Sequence, residues 1–87
     1  MTQWSPLTPR QLEALRYHAQ GLTAEAAGRR MGISMSSVNQ LIATAKRHLS
    51  AKSITHAVAI AMALRLIHPW DIPIPGERPP RRRGNER

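Results

Sequence analysis

The sequence predicts an all-α domain of four helices followed by a Pro/Arg-rich C-terminal tail. Three observations lead there. Apolar and polar residues never alternate for long and β-branched residues are thin, so no strand is expected. Helix-starting residues stand ahead of apolar periodic runs at Thr8, Thr23 and Ser34. Five of the seven prolines fall between His68 and Arg81, just before Arg81-Arg82-Arg83, and such a stretch favours extended or disordered backbone over a packed helix. These signals divide the chain into an N-terminal arm (1–6), a folded domain (7–68) and a tail (69–87).

Each helix has its own punctuation. Thr8 is the N-cap of the first, Pro9 suits the first helical position, and Gln11 completes a Thr-x-x-Gln capping box. That helix runs to about Gln20, with Leu12, Leu15 and Ala19 at helical spacing and Gly21 as its stop. Thr23 caps a short second helix through Ala26, Ala27 and Arg30. Gly32-Ile33-Ser34 makes a tight turn, and Ser34 caps a third helix over about 35–49. Val38, Leu41, Ile42, Ala45 and Leu49 form an i, i+3, i+4, i+7 stripe on it. A fourth helix is expected over about 53–68, ended by Pro69.

Composition narrows the function. The chain has 87 residues, with 13 Lys and Arg against 5 Asp and Glu, for a formal charge of +8. A polyanion is the expected partner of such a surface. Cysteine is absent, which removes disulfides, thiol catalysis and Cys-ligated zinc. Before residue 69 the acids are Glu13 and Glu25, too few for acid–base pairs or a magnesium cage, so no enzyme is expected. Histidines 18, 48, 56 and 68 lack metal-site spacing, and no cofactor is expected. Trp4, Tyr17 and Trp70 are too few for an aromatic platform that stacks single strands. The polar N-terminus carries no signal peptide, and the apolar run Ala57 to Leu64 is too short for a bilayer, so the expected setting is cytoplasmic, on the nucleoid, without membrane contact.

Two helices joined by a Gly-containing turn describe a helix-turn-helix. Ile33 is expected to bury at the turn, and Ala27 and Gly28 to let the third helix cross closely. The outward face of that helix presents Ser36, Asn39, Gln40, Ala43, Thr44 and Arg47. Asn and Gln match the donor–acceptor edge of adenine in the major groove, which makes Asn39 and Gln40, with Ala43 and Thr44, the base-reading candidates. Thr8, Arg10, Ser36, Ser37, Lys46, Arg47 and Lys52 are the phosphate candidates. The competing reading of the same residues is a solvated helix face.

Leu7-Thr8-Pro9-Arg10, Leu15, Gly21-Leu22-Thr23, Gly32-Ile33-Ser34 and Ser37-Val38, in that order, resemble the LuxR-type (GerE-like) DNA-binding domain. The resemblance covers about residues 7–67 and includes the closing segment from Ser53. It implies a four-helix bundle with the third helix in the major groove and the fourth at a dimer interface. Ser37 would then contact phosphate, and Asn39, Gln40 and Ala43 would face bases. The chain departs from the family's habit at Gln11 (usually Glu), Asn39 (usually basic), Leu41 (usually His) and Ala45 (usually Ile), so a relative's base preference does not transfer. With those changes the third helix also resembles, in part, the promoter-reading domain of sigma factors. With six residues before Leu7, the chain reads as a stand-alone member regulated through its abundance or a partner.

From Thr55 to His68, ten of fourteen residues are apolar, and at helical spacing they surround the axis. A homodimer through this helix is the expected cover, with Ala57, Val58, Ile60, Ala61, Met62 and Leu64 at the interface. The alternative cover is the chain's own Trp70, Ile72 and Ile74. Met31, Met35 and Met62 read as core or interface filler. Arg81-Arg82-Arg83 can lie along phosphates, enter a minor groove, or serve as a solvated end. Two functions follow. The leading one is a sequence-specific regulator of transcription that binds double-stranded DNA. The competitor is a protein-interaction module that docks on RNA polymerase or another regulator through the fourth helix and the "WDIPIP" segment.

Overall fold

The computed structural model describes residues 5–73. Trp4, Ile74 and Arg81-Arg82-Arg83 therefore lie outside the described residues. Within them the chain forms α1 (Pro9–Ala19), α2 (Ala24–Met31), α3 (Met35–Leu49) and α4 (Ile54–Ala63), then one 3-10 turn at Pro69–Asp71. No strand occurs among the described residues. Helix α3 packs on the other three helices, and α1 also touches α2 and α4.

Local chemistry starts each helix. The Thr8 hydroxyl accepts from Gln11 N–H at 3.2 Å, while the Gln11 side-chain oxygen accepts from Thr8 N–H at 3.0 Å. Gln11 is buried, and a neutral amide there closes the capping box without placing a charge in the core. Thr23, Ser34 and Ser53 cap the other three helices through their side-chain oxygens.

The core runs along the bundle axis through Leu15, Val38, Ile42, Ala45, Ala57, Ala61 and Ile67, all nearly or fully inaccessible. Its many alanines let the helix backbones approach closely. Ile33 is half-buried against this core. The close approach at Gly28 comes from the turn itself. A Cβ there would stand 2.6 Å from the Ile33 carbonyl oxygen, whereas the nearest α3-side atoms belong to the Ser34 backbone at 3.4 Å.

The fourth helix ends at Ala63, not near His68. Arg65 takes a left-handed conformation with φ 65°. Its N–H donates to Met62 O at 3.0 Å, and Leu66 N–H donates to Ala61 O at 2.8 Å, the paired bonds of a Schellman stop. A non-glycine residue in that region costs about 1–2 kcal/mol. The reversal drops Leu66 and Ile67 into the core, at 7% and 0% exposure, which offsets the strain by burying two large side chains. So the apolar residues expected to ring one long helix belong to a shorter helix and to the strap that follows it.

That strap packs on α1. Gln20 Nε2 donates to Asp71 O at 2.9 Å, Arg16 Nη2 reaches Leu66 O at 3.5 Å, and Arg16 Nε lies 3.6 Å from Asp71 Oδ2. Trp70 is 79% exposed and does not cover α4.

Candidate nucleic-acid interface

The α2–turn–α3 unit is built from two special backbone positions. Gly32, at φ 72°, ends α2 in the left-handed region that glycine enters freely. Ser34 then starts α3, accepting from Ser37 N–H at 3.0 Å and donating its own hydroxyl to Ser37 Oγ at 3.0 Å. Ser37 therefore receives a hydrogen bond from its neighbour and keeps its own O–H to donate elsewhere.

Ser36, Asn39, Gln40, Ala43 and Arg47 are exposed along one face of α3, opposite its core stripe of Val38, Ile42, Ala45 and Leu49. Thr44 is half-buried and its hydroxyl accepts from Arg47 Nη2 at 3.3 Å. Arg10, Ile33, Ser37, Gln40, Leu41 and Thr44 line a shallow concavity of about 360 Å³ where the start of α1 meets α3. The structure thus brings Arg10, Ser37, Gln40 and Thr44 together. Arg10 is held there by Glu13 Oε1 at 2.9 Å and the Met31 carbonyl at 3.2 Å. Thr8 is exposed beside it, its oxygen engaged in the capping box. Lys46 is half-buried and Lys52 exposed beyond the far end of α3, where Lys52 N–H donates to His56 Nδ1 at 3.0 Å.

Charge pairing leaves this end of the molecule uncompensated. The three carboxylates among the described residues are each beside an arginine: Glu13 with Arg10, Glu25 with Arg29 at 3.3 Å, and Asp71 with Arg16. Lys46, Arg47 and Lys52 have no carboxylate partner among the described residues.

The structure takes Met35 out of the core half of its core-or-interface reading, and it moves two alanines of α4 inside. Met35 is 54% exposed at the first turn of α3, beside the polar face and outside the core. It carries no polar group, so a pattern search for hydrogen-bonding side chains passes over it. On α4, Ala57 and Ala61 are fully buried inside the chain and so are not available to a second subunit. A wheel drawn over a helix extended to residue 68 does not reveal which side the core takes. Val58, Ile60 and Met62 are half-buried at its flanks, and Thr55, Ala59, Ala63 and Leu64 are exposed.

A short helix, a glycine turn and a longer helix with an exposed Asn/Gln face define a helix-turn-helix module of the DNA-binding type. Comparison with known proteins agrees. The family described as bacterial regulatory proteins, luxR family, matches residues 5–61, and the chain belongs to that family of DNA-binding transcription regulators. It is also similar to the transcriptional activator protein BjaR1 of Bradyrhizobium diazoefficiens, with 38% identity over 63 residues, covering 72% of this chain. The chain spans 26% of the length of that relative.

Proposed function

We propose that this chain reads a specific double-stranded DNA sequence with α3 in the major groove and so regulates transcription. The observation that carries the reading is the exposed Asn39–Gln40–Ala43 face, bordered by Lys46, Arg47 and Lys52, which have no carboxylate partner among the described residues. Asn39 and Gln40 supply the paired donor and acceptor that adenine's edge requires, with Ala43 and Thr44 beside them. Arg10, Ser36 and Ser37 at the near end, and Lys46, Arg47 and Lys52 at the far end, anchor the flanking phosphates, and Thr8 joins them at the start of α1. The departures at Asn39 and Leu41 make the base preference this chain's own.

The protein acts as a two-fold dimer on an inverted repeat. The Thr55–Ala59–Ala63 line of α4 is the exposed, small-residue face, with Val58, Met62 and Leu64 at its edges, and it supports pairing there. Selection of the purified protein on a randomised duplex library at about physiological salt tests both parts. An enriched inverted repeat is expected. An enriched single half-site would remove the dimer, and salt-sensitive binding without any enriched motif would remove specific reading.

A further inference from the structure

Away from the α3 face, a second concavity of about 320 Å³ opens between α1 and the strap that follows α4. Ser5, Leu12, Arg16, Arg65, Leu66 and His68 line it, so two guanidiniums and an imidazole stand over two leucines. No residue lines both concavities. On α1, Leu12 and Arg16 lie about 160° and 120° around the helix from Arg10, which lines the other one.

The two guanidiniums differ in what they have left to offer a partner. Arg65 has no carboxylate partner among the described residues. Arg16 Nε is shut off from solvent without a hydrogen bond, and its nearest acid, Asp71 Oδ2, stands at 3.6 Å. Arg65 also occupies a left-handed position where glycine is the unstrained choice, so the backbone there has no need of a side chain.

An exposed aromatic adjoins this basic lining. The Trp70 indole is 79% exposed and lies flat on the His68 ring, with centroids 4.4 Å apart and planes 6° from parallel. His68 N–H donates to Asp71 Oδ2 at 3.0 Å, and Gln20 holds the Asp71 carbonyl, so the turn that carries the indole is fixed before any partner arrives. A rigid exposed Trp beside arginines has the composition of a protein–protein hot spot. Charge selects the partner, because the Arg65 guanidinium, without a carboxylate among the described residues, is satisfied by one, often in bidentate geometry.

We propose that this patch docks an acidic segment of a partner protein, with a carboxylate on Arg65 beside the Arg16–Asp71 pair and an apolar side chain against Trp70 and the leucines. The site shares no residue with the DNA-reading face, so the two assignments stand or fall separately. The test titrates the isotope-labelled full chain with a blocked peptide of alternating Glu and Leu, and with its Gln-for-Glu counterpart, at about physiological salt. Amide shifts are expected at Leu12, Arg16, residues 65–68 and Trp70 with the Glu peptide alone. Arg65→Gly suits the local backbone and so keeps the fold. It should weaken peptide binding about tenfold while leaving duplex affinity unchanged. Trp70→Ala should weaken it as well. Shifts centred on α3 or spread over every cation would overturn the proposal, as would wild-type affinity in Arg65→Gly or no binding of the Glu peptide.

Discussion

The carbonyl oxygen of Ile33 stands 2.6 Å from the point a Cβ on Gly28 would occupy, and the same stretch returns Ile33 N–H to Gly28 O at 2.9 Å. The turn of the helix-turn-helix is therefore pressed against bare backbone at one position of α2. In an open helix, Gly→Ala is worth about 1 kcal/mol in favour of Ala. Here the neighbour is backbone and cannot swing aside. Gly28→Ala is expected to destabilise the domain by about 1–3 kcal/mol, read as a lower urea midpoint at unchanged slope. An equal or higher midpoint would mean that the turn yields freely.

The end of α4 gives the opposite expectation. Arg65, at φ 65°, does what Gly21 and Gly32 do at the ends of α1 and α2. Arg65→Gly relieves about 1–2 kcal/mol of left-handed strain and adds back part of it as unfolded-chain entropy, for a net gain of about 0.5–1 kcal/mol. Arg65→Ala keeps the Cβ and should show no such gain. The same denaturation experiment compares the two variants.

The contrast between these helix ends shows what was legible in the sequence. Thr8, Thr23 and Ser34 act locally through their own side chains, so the starts of the first three helices could be read from residue type. Gly21 and Gly32 announced two stops, because glycine is the residue that left-handed backbone favours. Ser50 and Arg65 occupy that region too, at φ 55° and 65°, and their side chains give no such notice. Without a glycine at 65 the sequence reads as one longer α4, in which Leu66 and Ile67 help to ring the axis with apolar residues and hide that Ala57 and Ala61 are on the core side. The polar face of α3 was legible because a strong apolar stripe fixed its orientation. The docking of Asp71 on Arg16 and Gln20 was not, since partners so far apart in the chain, 51 residues for Gln20 and Asp71, leave no local pattern.

His18 should make stability depend on pH. Its Nε2 has no solvent contact and no hydrogen-bond partner, and burial pushes its pKa below the ordinary 6.5. Between the two values the unfolded chain binds more protons than the folded one. Stability is therefore full above pH 6.5, falls as pH drops through 6.5, and levels off below the folded-state pKa. His18→Gln should remove this component, so that the difference between its stability and the wild type's changes with pH below 6.5. Urea midpoints at a series of pH values would show it, and parallel curves would exclude His18 as the source.

On α3, two residues exposed on the same face should respond differently. Asn39 has the amide that reads a base edge, whereas Arg47 is tied to Thr44 at 3.3 Å and lies at the cationic end of the helix. Asn39→Ala is expected to cost about 1–3 kcal/mol on the preferred duplex and little on unrelated DNA, relaxing preference at one base pair. Arg47→Ala should weaken every sequence alike and lower the slope of log affinity against log salt by about one. Binding isotherms for both variants, on specific and scrambled duplexes across a salt series, separate the two effects. If Asn39→Ala lost affinity equally on both duplexes, that residue would be a backbone contact, and the base-reading role would pass to Gln40 and its neighbours.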